Sequence, residues 1–255
     1  LHLKRNEPED VDLAQNNFRE ALAEFKELDV DYYPDVIIEK LRQLKHISRA
    51  QAVEHRKVTR EMAEAGRIQH TFIPMYSPEI PGFEISCKLI PARETSGDFY
   101  DFIELADGRL AVVIADVGDK GAGAALYMAM SRTLIRTYAG EGKLEPKEVL
   151  HQVNRRILTD TQHGIFLTAF LGFLDPQAGT FKYVNAGHNP PFLVKQENDE
   201  INLTKLEKTG ALVGLFSENT WEEKTVDIEP GEVIVLYTDG ISEAQNEAGV
   251  FFGND

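Results

Sequence analysis

The sequence of 255 residues contains a single cysteine, Cys87, and a single tryptophan, Trp221. One cysteine cannot close an internal disulfide and cannot alone hold a thiolate-bound metal, so zinc-finger and disulfide-stapled secreted architectures are excluded. Basic residues are scarce as well: 27 Lys plus Arg against 42 Asp plus Glu leave a formal net charge of −15. A nucleic-acid binder needs concentrated Lys and Arg to neutralise phosphates, so that class is set aside. Long apolar runs are missing. The longest, Leu110 to Ala115 and Val233 to Tyr237, fall far below the ~20 residues of a membrane span. The first residues, Leu1 to Glu9, are charged, lack an apolar signal core and do not begin with Met. A cytoplasmic protein with no membrane span, cut from a longer chain, is therefore expected. What is present, 42% hydrophobic residues, suffices for a sizeable core.

The N-terminal part reads as helix. Val11, Ala14, Phe18, Ala21, Phe25 and Leu28 alternate three and four apart, a seam of coiled-coil type, and Asp29 to Pro34 breaks it. A second helix is expected from about Asp35 to about His70. Its apolar positions begin at Ile37, Leu41 and Leu44, fade through Ser48, Gln51 and His55, and resume at Val58, Met62 and Ala65. A seam this long and half polar fits a linker or dimerisation stalk over residues 1–64. An antiparallel helical hairpin packed on the main domain fits the same periodicity.

From Pro74 onward the texture changes to short β-type runs. Strands are expected at Phe83–Ile90, Phe99–Leu105, Leu110–Asp116, Phe166–Leu174, Thr180–Asn185, Phe192–Lys195 and Glu232–Tyr237. The turn Ala106-Asp107-Gly108 should join the second and third as a hairpin. Helices are expected at Gly121–Tyr138 and Pro146–Thr159. Strands on both sides of a helical pair indicate an α+β layered domain over residues 65–255, not an alternating βαβ one.

Three carboxylates stand where strands should end. Asp98 lies in Ser96-Gly97-Asp98-Phe99-Tyr100-Asp101, Asp116 closes the run Leu110 to Ala115, and Asp239 follows Val233 to Tyr237 and precedes Gly240. Carboxylates beside glycines that let backbone approach a ligand are a common way to hold hard cations. Oxygen-only ligation points to Mg²⁺ or Mn²⁺, not zinc. An Asp-Gly pair also marks ordinary turns, and any one of the three taken alone reads that way.

These segments, with Asn185-Ala186-Gly187-His188-Asn189-Pro190-Pro191 and Tyr237-Thr238-Asp239-Gly240, resemble the bacterial PP2C-type phosphatases of the RsbU/SpoIIE group over roughly Ala65 to Asp255. The resemblance implies a four-layer αββα sandwich and metal-dependent removal of phosphate from phosphoserine or phosphothreonine. It implies substrates of the STAS type, anti-sigma-factor antagonists, and control by an upstream sensor or receiver domain or a coiled-coil segment, with a homodimer through the N-terminal helices one arrangement that fits. Carried onto this sequence, Asp116 would bridge two Mn²⁺ or Mg²⁺ ions, Val117 would offer its carbonyl to one of them, Asp98 would hold the same ion, and Asp239 the other. Arg93, five residues before Asp98, stands where relatives place a phosphate-gripping arginine; a solvated strand-end arginine is the alternative. The implied chemistry is in-line attack by a cation-activated water without a covalent phosphoenzyme. A competing reading is a phosphatase-like module that docks a signalling partner without turnover.

The sequence also departs from the family pattern. Gly118-Asp119-Lys120-Gly121 follows Val117 where a Ser-Gly pair is usual, and Ser96 stands where glycine is usual. The family carries another metal-binding Asp on a later strand, whereas this sequence ends at Phe252-Gly253-Asn254-Asp255. The domain is therefore expected to lack its C-terminal end and to bind metal weakly on the Asp239 side. Cys87 and Arg93 have the spacing of cysteine phosphatases, but the residues between them lack the glycines of a phosphate loop and nothing nearby would activate the thiol. Gly118 to Gly123 lacks the Gly-Lys-Ser/Thr of a nucleotide loop. His188 reads as a turn-stabilising residue rather than a ligand.

Overall fold

The computed structural model describes residues 16–17, 19–20, 23, 34–161, 164–197 and 200–253. Most of the expected first helix lies outside the described residues. The chain divides into two compact units, Leu1–Glu64 and Ala65–Asp255. Helix α1 (Pro34–His70) matches the expected second helix, and the boundary between the units falls within it. No helix among the described residues is long and apolar enough to cross a membrane.

In the second unit, a five-stranded antiparallel sheet has the order β1-β2-β3-β4-β7. Its strands are β1 (Phe99–Glu104), β2 (Leu110–Val117), β3 (Leu167–Asp175), β4 (Thr180–Ala186) and β7 (Lys224–Asp227). The β1–β2 hairpin closes at the expected turn, where Gly108 takes φ 88° and donates to the Leu105 carbonyl at 3.0 Å. A three-stranded sheet, order β6-β5-β8, is built from β5 (Phe192–Glu197), β6 (Glu200–Lys205) and β8 (Val233–Val235).

Side-chain parity sorts the layers, because successive residues of a strand face opposite sides. Odd positions of β2, such as Ala111, Val113 and Ala115, enter a core shared with helices α2 (Ala122–Gly140) and α3 (Pro146–Asp160) through Met128, Ile135 and Val153. Leu110 and Phe170 face the other way. They meet Leu193, Ile234 and Leu236 of the three-stranded sheet region in a second core. The described residues thus stack as helices, sheet and sheet. On the outer face of the second sheet Ile201, Leu203, Val233 and Val235 are exposed.

Helix α2 is pinned to β1 by an ion cluster around a buried carboxylate. Asp101 is 1% exposed. Arg136 Nη1 donates to both of its oxygens at 2.8 Å, and Arg132 Nη2 lies 3.1 Å from Oδ2. The Phe102 backbone N–H adds a bond at 2.9 Å.

Two expectations need correction. Phe83–Ile90 is not a strand: its burial alternates as a strand's would, yet its only bridge is Phe83 to Ile80. Alternation reports which side chains face the core and does not supply a pairing neighbour. The expected strand Glu232–Tyr237 shrinks to Val233–Val235, while β6 and β7 were not foreseen at all.

Candidate active site

Register brings the first two carboxylates together. Phe99 pairs with Ala115, so Asp98 and Asp116 fall side by side at one end of the hairpin. Even parity turns Asp116 toward the second sheet, as for Leu110, Val112 and Ile114 before it. Asp239 arrives from the other sheet. After β8 the chain reaches Thr238, whose hydroxyl donates to Asp98 Oδ2 at 2.7 Å. The short helix α4 (Asp239–Ser242) then begins, and the Glu243 N–H donates to the Asp239 carbonyl at 2.7 Å.

The electrostatics are those of crowded acids. Burial first, then a hydrogen bond shared with Asp98, then the charges of Asp98, Asp239 and Glu243 push the Asp116 pKa up to about 8. Asp239 is also raised, by burial and then by Glu243 and Asp98, while the Gly240 N–H and Lys120 act in the opposite sense. Acids that raise one another in this way call for a proton or a cation among them.

Among the described residues, no three His, Cys, Asp or Glu side chains converge in metal-ligating geometry. The donor chemistry nevertheless fits a hard divalent cation, since the cluster offers only oxygens. The backbone leaves space there too. A Cβ on Gly97 would stand 3.1 Å from the Val117 carbonyl oxygen and 3.4 Å from Asp116 Oδ1, so these two oxygens border one gap that only glycine keeps open. The Val117 carbonyl accepts from the Asp119 N–H at 2.7 Å and retains a second lone pair.

Asp98, Asp116, Val117 and Asp239, singled out from the sequence, are thus gathered at one end of the two sheets. Arg93 is exposed on the preceding loop and makes no hydrogen bond or ion pair among the described residues. Asp119 is exposed, and its Oδ1 accepts from the Lys120 N–H at 2.7 Å. Cys87 lies apart, with its sulfur 3.5 Å from Ser77 Oγ. Sequence reasoning missed Thr238 and Glu243. A spacing of four from Asp239 to Glu243 was the available signal for the second.

Two further side chains border the site. His188 is 1% exposed, its Nδ1 lies 2.8 Å from Thr168 Oγ1, and burial pulls its pKa down to about 4. Gln69, in the last turn of α1, clasps the backbone of Ser96. Its Nε2 donates to the Ser96 carbonyl at 2.7 Å, and its Oε1 accepts from the Ser96 N–H at 2.9 Å. The same Nε2 lies 3.4 Å from the Ala125 carbonyl in the first turn of α2.

The layered fold and the carboxylates at its sheet ends define a PP2C-type domain. The SiaA-PP2C domain of Pseudomonas aeruginosa superposes with a TM-score of 0.65 at 21% identity, over 80% of each chain. The RsbU and RsbW domains of Rv1364c from Mycobacterium tuberculosis share 32% identity at a TM-score of 0.51, over 60% of this chain and 42% of that one. Residues 106–255 match the family model Stage II sporulation protein E (SpoIIE), and the chain belongs to that family. Protein IcfG of Synechocystis sp. is 35% identical over 76% of this chain and 34% of its own length. Phosphoserine phosphatase RsbU of Bacillus subtilis is 28% identical over 76% of this chain and 56% of its own. The chain therefore spans about a third to somewhat over half of these relatives.

Proposed function

We propose that residues 65–255 form the catalytic domain of a metal-dependent phosphatase acting on phosphoserine or phosphothreonine of a regulatory protein. A phosphorylated STAS-type anti-sigma-factor antagonist is the substrate we favour, which fits a cytoplasmic setting. The observation that carries the reading is the cluster of Asp98, Asp116 and Asp239, drawn from two sheets and joined through the Thr238–Asp98 hydrogen bond. The relatedness to proteins named phosphoserine phosphatase supports it.

Two Mn²⁺ or Mg²⁺ ions would be held by Asp98, Asp116 and the Val117 carbonyl on one side and by Asp116 and Asp239 on the other. When bound, such ions lower the pKa of water and neutralise charge on phosphoryl oxygens. The protein's own groups do the rest. Thr238 fixes the orientation of Asp98 by donating to Oδ2. Gly97 keeps the gap beside Asp116 Oδ1 and the Val117 carbonyl open. Arg93, exposed and without a hydrogen bond or ion pair among the described residues, is suited to grip the substrate phosphate through its planar fork.

The segment 1–64 serves as a linker or dimerisation stalk through which an upstream sensor or receiver domain acts. Gln69 supports this reading, because the last turn of α1 holds both the backbone two residues before Asp98 and the first turn of α2.

The test is hydrolysis of a generic aryl phosphate by the chain with Mn²⁺ and with chelator, beside Asp116→Asn. Metal-dependent turnover lost in the variant is expected. Turnover that survives Asp116→Asn places the chemistry elsewhere, and no turnover with any metal supports a docking module.

A further inference from the structure

Among the described residues few buried polar side-chain atoms lack a hydrogen-bond partner, and His188 Nε2 is one of them. The imidazole is 1% exposed, so a partner for that nitrogen has to come from the interior around it. A buried donor or acceptor left unpaired is unfavourable. A histidine kept only to stabilise the turn before Pro190 would have both nitrogens satisfied. Here only Nδ1 is, by Thr168 Oγ1 at 2.8 Å. The Tyr237 carbonyl faces the ring and favours a proton on it, yet it does not satisfy Nε2.

The surroundings show where the ring acts. Thr168 is the direct cross-strand partner of Asp116 in the β2–β3 ladder. Gly187, just before His188, bridges Ala169 of β3. Phe99 pairs with Ala115, which sets Asp98 beside Asp116 in the same ladder; the Asp98 charge acts on the ring, and Thr238, which follows Tyr237, already donates to Asp98 Oδ2. His188 therefore joins the ends of β3 and β4 to the Asp98 side of the site. Carboxylates that hold metals are themselves oriented by outer hydrogen-bond donors, and losing such a donor weakens metal binding.

We propose that His188 is a positioning residue for Asp98: the Thr168 hydroxyl donates to Nδ1, this fixes the ring proton on Nε2, and the Nε2–H is the second donor to the Asp98 carboxylate beside Thr238. The orphaned nitrogen is then a donor whose acceptor completes the bond when Asp98 adopts its ligating orientation. The inference rests on the metal-site reading above and adds a role for a side chain outside the ligand set.

Two measurements test it. In the metal-stripped protein, the ¹⁵N shifts of the His188 ring should report the Nε2–H tautomer; an Nδ1–H tautomer overturns the proposal. Calorimetric Mn²⁺ titration should then show binding weakened roughly 10–100-fold in Thr168→Val and His188→Ala. His188→Gln, which keeps an amide donor, should recover most of the loss. The melting temperature of metal-stripped Thr168→Val should stay within about 3 °C of the parent, which separates positioning from folding. Mn²⁺ affinity unchanged in Thr168→Val, or a loss matched by a fall in melting temperature, overturns the proposal. Asp116→Asn is the control: if it binds Mn²⁺ as tightly as the parent, the metal-site reading itself fails, and this proposal with it. If Asp116→Asn loses binding while the other variants keep it, only the His188 role fails.

Discussion

Asp116 is the carboxylate on which burial and three neighbouring acids act together, and its raised pKa measures how poorly the cluster tolerates its own charge. The residues around it divide into those that tolerate charge and those that keep space. Gly97 is of the second kind. Gly97→Ala would set a methyl group against the Val117 carbonyl and Asp116 Oδ1, and should cost about 1 kcal/mol in stability and weaken Mn²⁺ binding measurably by calorimetry. Thr238 is of the first kind. Thr238→Val removes the donor to Asp98 Oδ2, and steady-state kinetics should show kcat/KM lower by about tenfold, equivalent to about 1.4 kcal/mol. The three aspartates were legible because each closes or adjoins a run whose apolar pattern announces a strand. Thr238 was not, since its hydroxyl matters only through a partner 140 positions away in sequence. Glu243 had only its spacing of four from Asp239 to mark it, because the four-residue helix that precedes it has too little periodicity to declare a face.

Among the elements, β1 and α2 are where the site is set. Asp98 immediately precedes β1, Asp116 lies at the end of β2, and α2 begins a few residues later, so the Asp101–Arg132–Arg136 cluster ties together two elements that flank the aspartates. Asp101→Asn leaves the mostly buried Arg132 without its counter-charge and should lower stability by about 3 kcal/mol in denaturant titration. Gln69→Ala should leave the fold intact but change kcat more than KM, because it frees the backbone just before Asp98 from the end of α1; unchanged kinetics would remove that helix from the control of activity. The helices α1, α2 and α3 and the β1–β2 hairpin were readable from periodicity and turn chemistry. The strands of the second sheet were read less well. Every residue of β6 is exposed, so no alternation marks it, and β7 spans only four residues. Phe83–Ile90 failed in the opposite way, with strong alternation and no neighbouring strand to pair with.

At the scale of the whole molecule, the excess of acid is uneven in its meaning. Among the described residues most carboxylates are exposed, while Asp98, Asp116, Asp239 and Glu243 are concentrated at one end of two sheets. The family-model match, residues 106–255, covers this end but not Asp98, so the register of β1 on β2, not motif order alone, brings that residue to the others. Deleting the residues before Ala65 should alter turnover without abolishing the fold of the second unit. Identical kinetics in the shortened chain would contradict control by the N-terminal segment. The most direct test of the account is the rate of phosphate release from a phosphoserine peptide by metal-stripped protein as Mn²⁺ is added back. The account predicts a rate that is negligible without metal, rises to saturation with Mn²⁺, and is lost in Asp116→Asn. A rate indifferent to chelator, or one that Asp116→Asn retains, would contradict it.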